Sequence, residues 1–538
     1  MTAPRRSFPP SAEGVNLLVS AALGGQPVVA ALATPHALAT DAGTAILRSG
    51  GTAIDAAIAA AGVLTVVYPH NVALGGDLFA LIRTPDGAVS CINASGWAGA
   101  AVDAAALRAE HGDWLPARGA AAVTVPGGVR GWEAMRRLGS RVSWSATLCA
   151  AETAARDGVP VPASLATHLE DPENRDLIGT ADFDRVFRPH GAPMRVGEPF
   201  RQPALADTLA TLRSEGPDEF YSGELAQRTV GYLRTHQSWV TEADFADFQV
   251  EVVEPLRSEF GDLTVLTSPP NSQGFLLLHA LGAVHAGGLN DPVGDGMGEL
   301  LRAFHRSNGI RDSQLADPRY AAVDVAAMGD HSGPVSRPPG VPRGDTVGIA
   351  VVDGEGYAVS LIQSVYHAFG SGLIDPVTGV LFHNRGCGFS LDPASPNVIA
   401  PRKRPAHTLM PAMTLRQGRI GHVLSTMGGQ GQPQILGQIL LRALGGATAV
   451  EAVAAPRAIV GSQCGGGPDS VTVEADLDPA AAAAIRAAGF TATEVPPRTE
   501  ALGQANVVFV DSGGSMTAAS DPRSDGAAVV AHYPRPQP

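Results

Sequence analysis

Cysteine is scarce in this 538-residue sequence: Cys91, Cys149, Cys387 and Cys464 stand far apart, with no CxxC and no Cys/His ligand spacing. That excludes a disulfide framework and a zinc site, and reduced thiols in a cytoplasmic protein are expected. The 15 histidines nowhere form HxH or HExxH, so neither a metal mechanism nor a cofactor is indicated. There is no GxSxG elbow either. Long apolar runs are missing as well. Arg5-Arg6 is followed by the proline-bearing stretch Ser7–Gly14 and by Val15–Leu23, too brief for a signal peptide or a membrane span. Charge is sparse, at 17%, with a net −14. The one dense basic run, Arg402-Lys403-Arg404, reads as a solvated or pocket-rim loop, which argues against nucleic acid as a partner. No repeat of solenoid period is present.

What is there suits a large buried interior. Apolar residues make up 45%, glycine and alanine are abundant, and the length calls for a large α/β body or two intimate halves. Residues 1–27 form a loosely attached lead-in. Val28–Thr34 reads as a strand, and Pro35 opens a helix that stops at Gly50-Gly51. Thr52 caps a second helix, Ala53 to about Thr65, which is apolar on nearly every face and therefore buried. Later landmarks are the glycine turn before Asp77-Leu78-Phe79 and the turn Ser268-Pro269-Pro270-Asn271-Ser272-Gln273-Gly274.

One stretch differs from the rest. His331 to Asp345 holds four prolines and three glycines without hydrophobic periodicity, and so reads as an exposed linker. It stops at Thr346, where a sheet-like pattern begins: Thr346–Asp353, the loop Gly354-Glu355-Gly356, then Tyr357–Ser364, together a hairpin. If Asp353 pairs with Tyr357, paired residue numbers sum to 710 and Thr346 lies opposite Ser364, with β-carbons roughly 5 Å apart. A slip of one residue would separate them. A threonine hydroxyl is a poor nucleophile without a base, but an N-terminal threonine carries its own in the free α-amine. Such a residue must be released by attack on the carbonyl before it, and Asp345-Thr346, at a strand start after a linker, has the form such a junction requires.

The order and spacing of many blocks carry the reading further. ALATPHALATDAGTAILRSGGTAIDAAIAA (Ala31–Ala60), LGGDLFALI (Leu74–Ile82), VTVPGGVRGW (Val123–Trp132), QPALADTLATL (Gln202–Leu212), SPPNSQG, FGSG (Phe369–Gly372), NRGCGFSLDP (Asn384–Pro393), KRPAHTLMPAM (Lys403–Met413) and MGGQGQPQ (Met427–Gln434) resemble the γ-glutamyltranspeptidase family over about residues 28–530. The resemblance implies an α+β fold, the four-layer αββα sandwich of N-terminal-nucleophile hydrolases. It also implies self-processing into a large subunit, 28–345 after the lead-in and ending in the linker 331–345, and a small subunit, 346–538. Two subunits from one precursor, and a dimer of such pairs, are the partners it implies. Thr346 falls on the nucleophile, Ser364 on its supporting hydroxyl, and Gly428-Gly429 on the backbone oxyanion donors, a role that favours residues without side chains.

The departures are informative. Where γ-glutamyl enzymes clamp an amino acid, this sequence has Ser95 for an Arg, His407-Thr408 for paired serines, Gly388 for an Asp and Arg385 for a nearby Gln. The pattern is more similar to the branch holding oxamate amidohydrolase and cephalosporin acylases, although Trp97 departs from that branch too. Arg385 is then a carboxylate anchor or a structural guanidinium. His407 and Thr408 line the pocket or bond backbone, and Tyr366 and His367 border the same cleft. The function implied is hydrolysis of a small amide through a threonine acyl-enzyme. Removal of an oxalyl-like group by C–C cleavage, true γ-glutamyl hydrolysis or transfer, and a non-processing binding homologue stay open.

Overall fold

The computed structural model describes residues 28–323, 325, 344–461 and 467–533. The lead-in 1–27 and the linker up to residue 343 lie outside the described residues. The strand Val28–Thr34 forms as expected. The first helix is Ala37–Arg48, and its cap is His36, whose ring accepts the Leu38 N–H; Pro35 lies before the helix instead of inside it. The second helix runs Ala53–Val67, two residues past the expected end, with every residue buried. A capping box starts it: the Thr52 hydroxyl accepts from the Asp55 N–H and the Asp55 carboxylate accepts from the Thr52 N–H.

Two antiparallel sheets form the centre. The first has seven strands in the spatial order Ala527–Tyr533, Val28–Thr34, Gly344–Asp353, Ala358–His367, Asp77–Arg83, Val89–Ala94, Glu251–Val253. The second has six: Met516–Ser520, Ala505–Val510, Arg419–Thr426, Ala412–Arg416, Leu263–Thr267, Leu256–Phe260. Side-chain alternation along each strand gives the two faces of each sheet separate cores. Val347, Ile349 and Val351 face a helix layer that includes the buried helix Ala53–Val67. Ala350 and Val352 face the other way, meeting Leu266, Met413, Val423 and Val508 of the second sheet. That sheet's outer face packs on helices Phe275–Gly287, Met297–Gln314 and Gln432–Leu444. The result is the αββα sandwich. Among the described residues no helix is long and apolar enough to cross a membrane.

The two sheets approach closely at Gly348, midway along the Gly344–Asp353 strand. A β-carbon on Gly348 would stand 2.7 Å from the Thr426 N and 3.0 Å from the Ser425 Cβ. Asn506 Nδ2 donates to the Gly348 carbonyl at 3.0 Å across the same gap. Gly348→Val is therefore expected to force the sheets apart and cost about 1–3 kcal/mol, read as a lower urea midpoint at unchanged slope.

Candidate active site

The hairpin register is the one the numbers demand. Ala358 pairs with Val352 and the pairing runs unbroken to Gln363 with Val347, each summing to 710. A bulge follows, and Tyr366 then pairs with Asp345. Thr346, 1% exposed, donates its hydroxyl proton to Ser364 Oγ at 3.0 Å. Ser364 Oγ in turn donates to the Asp345 carbonyl at 2.5 Å and accepts the Tyr366 N–H at 2.8 Å. The bulge matters here, because it delivers that third contact and leaves Tyr366 at φ 81, a conformation disfavoured for a residue with a side chain. Asn71 Nδ2 reaches the Thr346 carbonyl at 3.4 Å. Because neighbours on a strand alternate, Asp345 points to the helix layer, where its carboxylate lies 3.4 Å from His168 Nε2.

The strand Arg419–Thr426 ends beside this point and leads into Gly428 (φ 144) and Gly429 (φ 51). A β-carbon at Gly428 would strike Ile435 Cδ1 at 2.3 Å, so the turn needs glycine both for its dihedral and for space. The turn Gly429–Gly431 touches the strand that carries Thr346 and opens the helix Gln432–Leu444, a location where backbone N–H groups favour negative charge. Gln273 Nε2 pins it from behind, donating to the Gly429 and Thr408 carbonyls at 2.9 and 2.8 Å.

An open cavity adjoins the bulge, lined by Tyr366, Arg385, Gly388, His407, Thr408 and Arg311 among others. Two buried guanidiniums therefore face one space. Arg311 is fully committed, donating to Asp312, Gln273, Asn308 and Gln430. Arg385 Cζ lies over the Tyr366 ring, 3.5 Å from its centroid, and the guanidinium reaches Thr408 Oγ1 only at 3.5 Å. Its Nε is buried without a partner among the described residues. His407 accepts the Leu409 N–H on Nδ1, so Nε2 carries the proton it donates to Asp77 at 3.2 Å. Burial, helped by the Arg385 charge, pushes its pKa down to about 4 and keeps the ring neutral. Burial acts to raise the Asp77 carboxyl, but the His383 and His407 rings and the Gly96 N–H outweigh it and hold it below the usual range.

The sequence pattern of the γ-glutamyltranspeptidase family matches residues 39–531. The chain belongs to that family. It is 38% identical to the oxamate amidohydrolase proenzyme of Klebsiella pneumoniae, with 92% of this chain and 97% of that one aligned. A glutathione hydrolase-like proenzyme of Bacillus subtilis is 36% identical over the same shares. In structure it resembles the cephalosporin acylase from Bacillus halodurans, with a TM-score of 0.86 and 30% identity over 98% of this chain and 99% of that one. The chain is thus an enzyme of the γ-glutamyltranspeptidase family, similar to its oxamate amidohydrolase and cephalosporin acylase members.

Within the family frame the structure sorts the residues singled out in the sequence. Thr346, Ser364 and Asp345 meet in one hydrogen-bonded chain, and Gly428-Gly429 lie alongside. Tyr366, Arg385, His407 and Thr408 border the cavity, but both ring nitrogens of His407 are committed elsewhere. His367 is not among the cavity's lining residues; it stacks on Tyr366 and takes an Asn384 hydrogen bond on Nδ1. The basic run is no solvated loop: Lys403 and Arg404 are buried on carbonyls and Glu251, and only Arg402 faces outward, to Asp247. Arg311, Gln273 and Asn71 escaped sequence reasoning. Gln273 stood in a noted block, whereas an arginine inside an 18-residue helix gives no sign of its burial.

Gly388 explains how Arg385 fits. A β-carbon there would lie 1.9 Å from Arg385 Nη2. Gly388→Ala should swing the guanidinium off the Tyr366 ring while leaving the fold intact, which a crystal structure and an unchanged melting temperature would check.

Proposed function

We propose that the chain is a precursor that splits itself between Asp345 and Thr346, and that Thr346 then cleaves a small amide whose acyl group bears a carboxylate. The chain Thr346 Oγ–Ser364 Oγ–Asp345 O carries this reading. In the precursor, Thr346 Oγ attacks the Asp345 carbonyl carbon as its proton passes to Ser364, whose own proton goes to the carbonyl oxygen. Collapse breaks the C–N bond, and the Thr346 nitrogen takes a proton to become the free amine. Water then hydrolyses the resulting ester, leaving the Asp345 carboxylate and the Thr346 hydroxyl. The two fragments stay together because the first sheet interleaves them: Val28–Thr34 and Asp77–Arg83 flank the two strands 344–353 and 358–367.

In turnover, the freed amine serves as the base for its own hydroxyl. Thr346 Oγ attacks the amide carbonyl, the N–H groups of Gly428 and Gly429 hold the oxyanion, and the amine leaves with a proton. Water resolves the acyl-enzyme. Arg385, with unspent hydrogen-bonding capacity, favours a carboxylate on the acyl side, as in the oxamate of one relative's name. The same charge repels the ammonium of a γ-glutamyl head.

Wild-type protein should run as two chains on a denaturing gel, with Thr346 at the N-terminus of the smaller. Thr346→Ala should remain one chain of 55.1 kDa, and a Thr346→Ala protein that still divides at this bond defeats the proposal. Arg385→Ala should lower kcat/KM about 10–100-fold for oxamate, equivalent to losing a charged hydrogen bond of about 1.5–3 kcal/mol. Uncharged acyl amides should be affected little.

A further inference from the structure

On the helix-layer side of the sheet the Asp345 side chain enters a second, open cavity, lined by His168, Ser164, Glu500 and Asp525 among others. None of these residues lines the cavity that holds Arg385. We infer that His168 is a positioning residue for chain splitting, gripping the Asp345 carboxylate so that its carbonyl stays fixed against Ser364 and Thr346. This inference rests on the self-splitting proposed above.

The geometry carries it. His168 sits on the helix Ala163–Glu170, with Nδ1 donating to the Ser164 carbonyl at 2.9 Å and Nε2 facing Asp345 Oδ1 at 3.4 Å. Both ring nitrogens thus face acceptors, as an imidazolium requires. Burial opposes that charge, but the Asp345 carboxylate outweighs it and pushes the pKa up to about 10. The ring is itself held in place. It lies against His70, tilted by 35° with centroids 4.6 Å apart, and His70 Nε2 meets Ser164 Oγ at 2.9 Å. Ser164 Oγ donates onward to Glu500 at 2.6 Å, and Glu500 accepts from Gln504. His70, His168 and Glu500 lie close enough together for a cation, but His70 Nε2 and Glu500 Oε1 are hydrogen-bonded to Ser164 and His168 Nε2 faces the Asp345 carboxylate.

Asp345 is therefore held at two points, its carbonyl by Ser364 and its carboxylate by His168. A peptide held at both is kept from rotating its carbonyl carbon away from Thr346 Oγ, and misplacement by about 1 Å can cost on the order of 100-fold in rate. Turnover by the mature enzyme needs no such grip, because Asp345 is by then the end of the other fragment.

The test follows splitting of freshly translated chain on denaturing gels for wild type, His168→Ala, His168→Gln, Asp345→Ala and the double variant His168→Ala/Asp345→Ala. Expected are splitting rates about 10–100-fold below wild type for His168→Ala and Asp345→Ala, with partial recovery in His168→Gln, which keeps a donor. The double variant should be no slower than Asp345→Ala alone, and once split, the His168 variants should turn over oxamate with wild-type kcat and KM. Splitting at the wild-type rate in both His168 variants, or full additivity in the double variant, would overturn the inference. Should His168→Ala fail to fold, His168→Gln and Asp345→Ala decide it. A wild-type chain that never splits, or a Thr346→Ala chain that does, instead indicts the self-splitting reading.

Discussion

A serine hydroxyl bonded at once to a threonine hydroxyl and to the carbonyl of the residue before it sets the terms for everything around it. That arrangement exists only if Thr346 and Ser364 face each other, and the facing depends on a hairpin whose register is fixed seven residues away, about 23 Å along the strands, at the Asp353–Tyr357 closure. Asp353 secures the closure: its carboxylate accepts the N–H groups of Glu355, Gly356 and Tyr357 and, with its other oxygen, the Ala53 N–H at the start of the buried helix. A one-residue error there would send Thr346 to the wrong face of the sheet. The bulge after Gln363 then breaks the regular pairing at the point where Ser364 needs an additional contact.

The second sheet comes to this point because side chains are withheld. Gly348 leaves room for Ser425-Thr426, and Gly428 leaves room for Ile435. The strand that ends at Thr426 can therefore deliver a glycine turn and a helix N-terminus beside Thr346. Small residues on one sheet and the glycine turn on the other are two parts of one arrangement, since added bulk at either would separate Thr346 from Gly428-Gly429.

Much of this could be read from the residues. The hairpin register follows from two apolar runs around Gly354-Glu355-Gly356, and the Thr52 cap and the strand Val28–Thr34 from local chemistry that tertiary contacts do not override. Pro35 misled by one turn boundary, because His36 supplies a capping nitrogen that the proline rule ignores. The burial of Arg311 and Arg404 was beyond reach: it depends on a carbonyl and an amide brought from distant segments, Ser95 and Gln273. His168 is 177 residues before its partner Asp345 in sequence, and nothing local marks a histidine in a short helix as the mate of a remote aspartate.

Arg385 matters only if its charge survives, and a buried carboxylate sits close by in Asp77. That carboxylate is spent. Its two oxygens accept the Gly96 N–H at 3.0 Å, the Gly127 N–H at 3.3 Å and the His407 Nε2–H at 3.2 Å. His407 stands between Asp77 and the cavity, and being neutral it passes on neither a positive nor a negative charge. Were His407 a cation, it would neutralise Asp77 more fully but crowd a third positive charge against Arg385 and Arg311, at a large desolvation cost. With the ring neutral, Asp77 is satisfied by its hydrogen bonds, Arg311 is paired with Asp312, and Arg385 remains under-bonded. An under-bonded buried guanidinium is costly unless a ligand completes it, and the ligand that completes it best is a carboxylate.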